Sequence, residues 1–205
     1  MTGINILAVD TSMNACAVAV QNAAGDIFQT IEFMERGQAE RLLPMIIEIV
    51  GQAGITLQDI DKYAVVTGPG TFTGLRVGLA TIRALAQGSG KPAIGVGTFD
   101  TITDDPNTCI VLETKRTDLY VRAPGYEDAC LSPDDLAAIL KPEWTLLGDA
   151  VGRAPGSNRK VEMKSVPLDR LIALAAQMPA NGLPEPIYLR GADVSLARKK
   201  TVTIV

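Results

Sequence analysis

The spacing of hydrophobic residues along the chain predicts three strands at its start. An apolar run over residues 4–9, interrupted by Asn5, indicates a buried strand, and residues 15–20 indicate a second one. Apolar and polar residues alternate over 27–33, after a cluster of turn-forming residues at 22–26, which predicts a third strand. The chain therefore opens with three consecutive strands joined by short turns.

Helical spacing follows these strands. Residues 38–53 form a predicted helix with two apolar stripes, one made of Leu42, Ile46, Ile49 and Ala53 and the other of Leu43, Ile47 and Val50. The next elements are predicted as strand, helix, strand and short helix, over residues 63–67, 73–87, 92–96 and 98–101. One domain usually covers only one stripe of a helix, so the second stripe predicts a partner.

The pattern restarts after residues 104–107. Further strands are predicted over 109–112, through Leu119 and Val121, over 145–147 and over 186–190. Two further helices are predicted over 133–140 and 168–178. Residues 6–20 overlay residues 109–123 at a constant offset of 103, with Asp10-Thr11 over Glu113-Thr114. Internal repetition indicates a duplicated α/β fold, which we divide into subdomains 1–103 and 104–205.

Composition excludes several classes of chemistry. The 205 residues include no histidine, which removes His-based acid–base catalysis, Ser-His-Asp and Cys-His nucleophiles and every His-ligated metal site. The three cysteines show no CxxC spacing and fit a reducing cytosol, and no run is long enough to span a membrane. We therefore expect a cytoplasmic protein.

The net charge of −4 makes the chain a poor nucleic-acid binder by itself, because affinity for phosphate comes mainly from Lys and Arg. This charge leaves open a nucleic-acid role that is shared with a partner. The basic tail at Arg198-Lys199-Lys200 is interpreted as solvated, with contact to RNA phosphate inside a complex as the alternative.

The segment Asp10-Thr11-Ser12 follows a predicted buried strand. A carboxylate in that place, with hydroxyls and backbone N–H groups in a tight turn, can hold a Mg²⁺-bound phosphate. The alternative is that Asp10 and Ser12 only stabilise the turn by bonding to local N–H groups. The residues favour the second interpretation.

A second motif spans residues 68–76, GPGTFTGLR, between a strand and a helix. It matches neither the GxxxxGK[ST] nor the GxGxxG phosphate-binding pattern, so it predicts a tight turn and a helix start. Gly74 and Gly78 lie four residues apart in that helix, which suggests close approach either within the domain or by a partner's helix. We predict the interface residues Leu43, Ile47, Val50, Thr73, Gly74, Arg76, Val77, Gly78, Ala80 and Thr81.

These segments resemble the TsaB (YeaZ) family, a bacterial subunit of the machinery that makes threonylcarbamoyladenosine in tRNA. The resemblance rests on ILAVDTS and ACAVAV, then on GPGTFTGLRVG and PAIGVGT, and finally on PIYLRGADV near the end. It covers most of the chain, is most specific in GPGTFTGLR and is weak in the middle of the second half. It implies the duplicated actin-like ATPase (ASKHA, RNase H-like) fold.

The resemblance also implies a role. TsaB proteins are similar to the catalytic subunit TsaD but lack its active site; they pair with TsaD through N-terminal helices, and the ATPase TsaE joins them. TsaD moves the threonylcarbamoyl group onto N6 of an adenosine beside the tRNA anticodon, with a metal held by paired histidines. We expect this chain to be a non-catalytic scaffold, a homodimer when alone, and in contact with tRNA only through the complex.

The resemblance implies no cofactor on this chain, and it assigns any ATP and Mg²⁺ to the complex. Asp10, Thr11, Ser12 and Glu113 would be vestiges of a nucleotide site. The alternative is a small ATPase or phosphotransferase that uses Asp10 and Glu113 with Mg-ATP; its adenosine-binding segment would be residues 148–152. A metalloprotease, the older family label, conflicts with the absence of histidine.

This chain departs from the family pattern in two places. Gln38 stands where relatives often carry a histidine. Glu113-Thr114-Lys115-Arg116 replaces the usual Asp-Ala-Arg at the start of the second domain's turn. Both changes weaken any nucleotide site on this chain and leave the interface helices unaltered.

Overall fold

The computed structural model describes residues 3–189, which contain two five-stranded sheets. The first sheet contains β1 Ile6–Asp10, β2 Ala15–Gln21, β3 Ile27–Phe33, β4 Lys62–Gly68 and β5 Ala93–Gly97, in the spatial order β3-β2-β1-β4-β5. The strands β1, β2 and β3 are antiparallel neighbours, whereas β4 and β5 run parallel to β1. The predicted three-strand opening is confirmed.

The second sheet repeats this topology. It contains β6 Thr108–Glu113, β7 Leu119–Arg122, β8 Ala129–Leu131, β9 Thr145–Gly148 and β10 Lys160–Glu162, in the order β10-β9-β6-β7-β8. Here too the first three strands are antiparallel and the last two are parallel to the first. Both halves therefore have the same strand order and directions, as the internal repeat predicts.

The offset of 103 holds for the first strand of each half and for the acid-Thr pair, but not for the second strand. Asp10 pairs with Ala17 across the first hairpin, whereas Glu113 pairs with Leu119. The overlay would have placed Tyr120 in that position. The prediction of a constant offset is wrong for β2 and β7, because the second hairpin has one residue fewer between the paired positions.

Five helices accompany the sheets within the described part of the chain, residues 3–189. They are α1 Gln38–Gln52, α2 Phe72–Ser89, α3 Thr98–Ile102, α4 Pro133–Ile139 and α5 Leu168–Gln177. Short 3-10 helices span Leu57–Asp59 and Val151–Arg153. No helix within residues 3–189 has the length and apolar character needed to cross a membrane.

Alternate residues of β1 enter two different cores, because successive side chains of a strand point to opposite faces. Leu7 and Val9 pack with apolar side chains of α1 and α2, whereas Ile6 and Ala8 pack with α3 and α5. A third core lies around Trp144, between the second sheet and α4.

The helix α5 follows the second sheet in the chain but packs on the first sheet, against β1, β2, β4 and β5. Alanines on that face of the sheet leave room for it, and Lys62 Nζ donates to the carbonyl oxygens of Ala175 and Ala176, at 3.0 and 3.2 Å. A cation at a helix C-terminus also complements the helix dipole. The subdomain boundary at residues 103 and 104 stays a prediction.

The sequence pattern missed β8 and β10, since three residues are too few to show alternation. The strand predicted over 186–190 is not a strand in its described part, residues 186–189. This segment is instead tied to the first half by the Ile187 N–H, which donates to the Thr67 carbonyl oxygen at 2.8 Å. The tail at Arg198-Lys199-Lys200 lies outside the described residues.

Substituting Gly74→Ala tests how tightly α2 is held on the first sheet. A Cβ there would overlap the carbonyl oxygen of Thr11, so we expect the free energy of unfolding to fall by about 2 kcal/mol or more. The matched control is Gly88→Ala in the same helix, where a Cβ meets no atom within 4 Å and stability should rise by up to about 1 kcal/mol. Urea unfolding followed by circular dichroism measures both; equal effects would contradict the prediction.

Candidate functional site

The turn after β1 joins the first sheet to α2 through a small hydrogen-bond network. The Ser12 N–H donates to Asp10 Oδ1 at 2.8 Å. The Thr11 hydroxyl donates to the Gly74 carbonyl oxygen at 2.7 Å and accepts from the Gly78 N–H at 3.1 Å. Asp10 thus has the turn-stabilising role that the residues favoured, whereas the Ser12 side chain forms no such bond within the described residues. Thr11 links the turn to the helix.

The Asp10 carboxyl is fully buried at the centre of this turn. Its Oδ2 atom and the Ser12 hydroxyl have no hydrogen-bond partner among the described residues. Burial raises the pKa of the Asp10 carboxyl because desolvation disfavours the carboxylate, and this effect exceeds the lowering by the hydrogen bond from the Ser12 N–H. Such a carboxyl is shielded from solvent and from solutes.

Glu113 ends β6 as Asp10 ends β1, but its surroundings differ. The Lys115 N–H donates to Glu113 Oε1 at 2.7 Å, which repeats the bond between Ser12 and Asp10. Glu113 is only partly buried and forms an ion pair with Arg153. Its charge is therefore neutralised by this chain itself.

Asp149 directly follows β9 and lies in the segment 148–152, which the ATPase alternative assigned to adenosine binding. Its Oδ1 accepts from the Glu113 N–H at 2.8 Å, and burial, with a smaller contribution from the nearby Glu113 charge, raises the pKa of Asp149 to about 6. Despite these acids, no group of three or more Cys, Asp and Glu side chains suited to a metal ion occurs within residues 3–189.

A cleft of about 1260 Å³ lies beside the starts of α1 and α2 and reaches the β6–β7 turn of the second half. The start of α2 is set by the residues before it. Thr71 N–H donates to the Ser12 carbonyl oxygen at 2.7 Å, and the Thr98 hydroxyl donates to the Pro69 carbonyl oxygen, also at 2.7 Å. The motif over residues 68–76 is thus a turn that fixes the start of α2, as predicted.

The helices α1 and α2 lie side by side on the outer face of the first sheet. On α1, Leu43 is 46% exposed and Ile47 is 58% exposed. Small or apolar side chains of α2 continue this surface, which we call the helical face and define as Leu43, Ile47, Thr73, Val77, Ala80 and Thr81. Leu43, Ile47, Thr73 and Ala80 are exposed, whereas Val77 and Thr81 are partly buried.

Three of the predicted interface residues lie in the interior. Val50 belongs to the core between α1 and the first sheet. Gly74 and Gly78 are buried against Thr11, so packing within the chain explains both helical glycines. Arg76 is exposed at the edge of α2, beside the cleft.

Comparison with known proteins identifies the family. The family described as TsaD, tRNA N6-adenosine threonylcarbamoyltransferase, matches residues 32–137. The Escherichia coli tRNA threonylcarbamoyladenosine biosynthesis protein TsaB is 29% identical over 91% of this chain and 95% of its own length. The Haemophilus influenzae TsaB is 40% identical over 47% of this chain and 40% of its own length. The chain belongs to the TsaB (YeaZ) family.

The TsaB fold is also found in a crystal structure described as an uncharacterized protein with similarity to peptidase YEAZ from Pseudomonas aeruginosa. That structure superposes with a TM-score of 0.78, at 24% identity, over 91% of this chain and all of the other. The family match and the TsaB relatives confirm the resemblance that GPGTFTGLR and the other segments indicated, and this structure shows the same fold.

One departure from the TsaB pattern has a clear structural role. Gln38 is the first residue of α1 and is buried, and its Nε2 donates to the Met34 carbonyl oxygen at 3.1 Å. The amide therefore ties the start of α1 to the end of β3. A neutral side chain that donates to the main chain suits this buried position.

Two further residues of this TsaB site escaped the sequence analysis, Phe72 and Tyr188. Their rings lie 5.8 Å apart at the edge of the cleft, although 115 residues separate them in the chain. The spacing of Phe72 and Arg76 on one helix was visible in the sequence. The approach of Tyr188 was not, because it depends on the path of residues 184–189 across the first half.

Substituting Asp10→Asn tests the buried carboxyl. Because the folded-state pKa of Asp10 is raised, folding takes up a proton there, and the contribution of Asp10 to stability falls as pH rises through that pKa. We expect the free energy of unfolding of D10N, relative to the unsubstituted chain, to increase with pH by up to about 1.4 kcal/mol per unit.

Urea unfolding from pH 4 to pH 8 measures this dependence. Asp26→Asn is the control, because Asp26 is an exposed aspartate in the β2–β3 turn. A relative stability of D10N that stays constant with pH would contradict the raised pKa.

Proposed function

We propose that this chain is a non-catalytic scaffold subunit of tRNA threonylcarbamoyladenosine biosynthesis that pairs with a TsaD homologue. The helical face is the observation that carries the proposal. It joins exposed apolar side chains of α1 to small side chains of α2, which let another helix approach closely. Contiguous exposed apolar surface of this kind marks protein interaction sites.

The core beneath the helical face explains why the face stays exposed. Leu42, Ile46 and Ile49 already fill the side of α1 that faces the first sheet. Leu43 and Ile47 lie on another side of the helix and are too far round it to enter the same core. Burying them requires another chain, either the TsaD homologue or, without it, a second copy of this chain.

Catalysis belongs to the partner in this proposal. The chain has no histidine with which to hold the metal of a TsaD-type site. Asp10 is buried and Glu113 is paired with Arg153, which also argues against the alternative of an ATPase that uses these two acids. The proposal therefore assigns ATP and Mg²⁺ to the complex, which a TsaE homologue joins in the cytoplasm.

The actin-like assignment of the fold is part of the same proposal. Two sheets with identical strand order, each opening with a three-stranded antiparallel unit, support it. In this view the acid at the end of β1 has become a buried turn residue, while the helices of the first half have kept an interaction surface. The chain then acts through its partner and is neither a protease nor an independent transferase.

Substituting Ile47→Asp tests the helical face. A charge in the middle of an apolar contact loses most of its hydration when the contact forms, so we expect at least about tenfold weaker binding to the TsaD homologue. Sedimentation of the mixed proteins measures the binding, and formation of threonylcarbamoyladenosine by the full complex should fall with it.

The matched control is Ile27→Asp at the start of β3, where the isoleucine is 41% exposed and is not part of the helical face. Both variants should keep the circular dichroism spectrum of the unsubstituted chain. Unchanged pairing by I47D, or equal losses in the two variants, would rule out the helical face as the interface.

A further inference from the structure

Three side chains form an exposed cluster at the edge of the cleft, which we call the platform and define as Phe72, Arg76 and Tyr188. The two rings are 5.8 Å apart at 35° to each other. The guanidinium carbon of Arg76 lies 3.7 Å from the centre of the Phe72 ring, and its Nε lies 3.5 Å from the Tyr188 hydroxyl oxygen. Phe72 is 56% exposed and Tyr188 is 46% exposed.

The platform contributes little to the cores of this chain. Neither aromatic residue belongs to any of the three cores, yet both are held in place. Phe72 and Arg76 are one helical turn apart on α2. Tyr188 is fixed by its own segment, because Ile187 N–H donates to the Thr67 carbonyl oxygen and Arg83 Nε donates to the Pro184 carbonyl oxygen. Aromatic surface that is both exposed and fixed suits a planar ligand.

The charge around the platform is opposite to that of the whole chain. The cleft is lined by the basic residues Arg36, Arg76, Lys115 and Arg116 and by the acidic residues Glu35 and Glu40. Basic residues thus exceed acidic ones at the cleft, whereas the chain has a net charge of −4. This local excess favours a negatively charged partner with aromatic groups.

A single-stranded RNA loop has both properties. Its unpaired bases stack on aromatic rings and on arginine guanidinium planes, and its phosphates attract basic side chains. At about 1260 Å³, the cleft exceeds the roughly 300–1000 Å³ of ordinary small-molecule sites, and the platform lies at its exposed edge. Size and exposure favour a loop of several nucleotides over a free nucleotide.

We propose that the platform stacks an unpaired base of an RNA loop, while basic side chains of the cleft lie against the neighbouring phosphates. The identity of this RNA as the anticodon loop of tRNA rests on the proposed function, whereas the stacking itself rests on the platform. The chain then contributes a direct RNA contact to the complex in addition to its pairing with a TsaD homologue.

Fluorescence anisotropy with a labelled RNA hairpin that carries a seven-nucleotide loop tests the proposal. The hairpin is titrated with the free chain and with its complex with the TsaD homologue. Phe72→Ala and Tyr188→Ala should each weaken binding by about 5- to 100-fold, since one base–aromatic stack is lost. Tyr188→Phe keeps the ring and should bind nearly as well. Arg76→Ala should weaken binding and reduce its salt dependence.

The chain offers matched controls on the second half. Tyr126→Ala removes an aromatic side chain that is 50% exposed, and Arg159→Ala removes an exposed arginine; neither should change RNA affinity. A blunt RNA duplex without a loop should bind more weakly than the hairpin, and ATP should not displace the hairpin. Circular dichroism checks that each variant folds. If F72A or Y188A does not fold, the comparison of Y188F with R76A still tests the proposal.

Several outcomes would overturn the proposal. The proposal fails if neither the free chain nor the complex binds the hairpin, or if the platform variants bind it with unchanged affinity. It also fails if the duplex binds as well as the hairpin. Displacement of the hairpin by ATP would indicate a nucleotide site instead. Loss of pairing with the TsaD homologue at unchanged RNA affinity would make the platform a protein contact. Pairing is measured separately by sedimentation, so a failure of the scaffold function and a failure of RNA stacking are distinguishable.

Discussion

The contact between the β1–β2 turn and α2 positions the helix that both proposals share. Gly74 and Gly78 bring the helix so close to the turn that Thr11 bonds to its backbone at both positions. This contact fixes the start of α2 and therefore Phe72 and Arg76 at the cleft. It also sets α2 beside α1, which creates the helical face. Two glycines, each unfavourable in an isolated helix, are thus required by the packing.

The duplicated topology gives the two halves similar turns with different roles. In each half an acid at the end of the first strand accepts from the N–H two residues later. Asp10 is fully buried and forms no ion pair with another residue of 3–189, so its turn lies in the interior. Glu113 is paired with Arg153 and its turn lines the cleft. Repetition of backbone geometry therefore did not preserve the chemistry, because the packing around each acid differs.

The two proposals use different parts of the first half. The helical face is apolar and suits another helix, whereas the platform is aromatic and basic and suits RNA. Both are positioned by α2, since Thr73, Val77 and Ala80 follow one side of this helix and Phe72 and Arg76 the neighbouring side. A single rigid helix can thus hold the partner and the RNA in a fixed relation, which suits a subunit that acts by positioning.

The sequence by itself determined most of the strand and helix order, the duplication and the family, because hydrophobic periodicity and the segment GPGTFTGLR are local signals. It also identified Leu43 and Ile47 as a second apolar stripe. It missed β8 and β10, which are too short to show a period. Only the tertiary structure showed that α5 covers the first sheet, that Asp10 is buried, and that Gly74 and Gly78 meet Thr11. The tertiary structure alone also showed that Tyr188 lies against Phe72. These features depend on contacts between residues far apart in the chain, which spacing along a sequence does not encode.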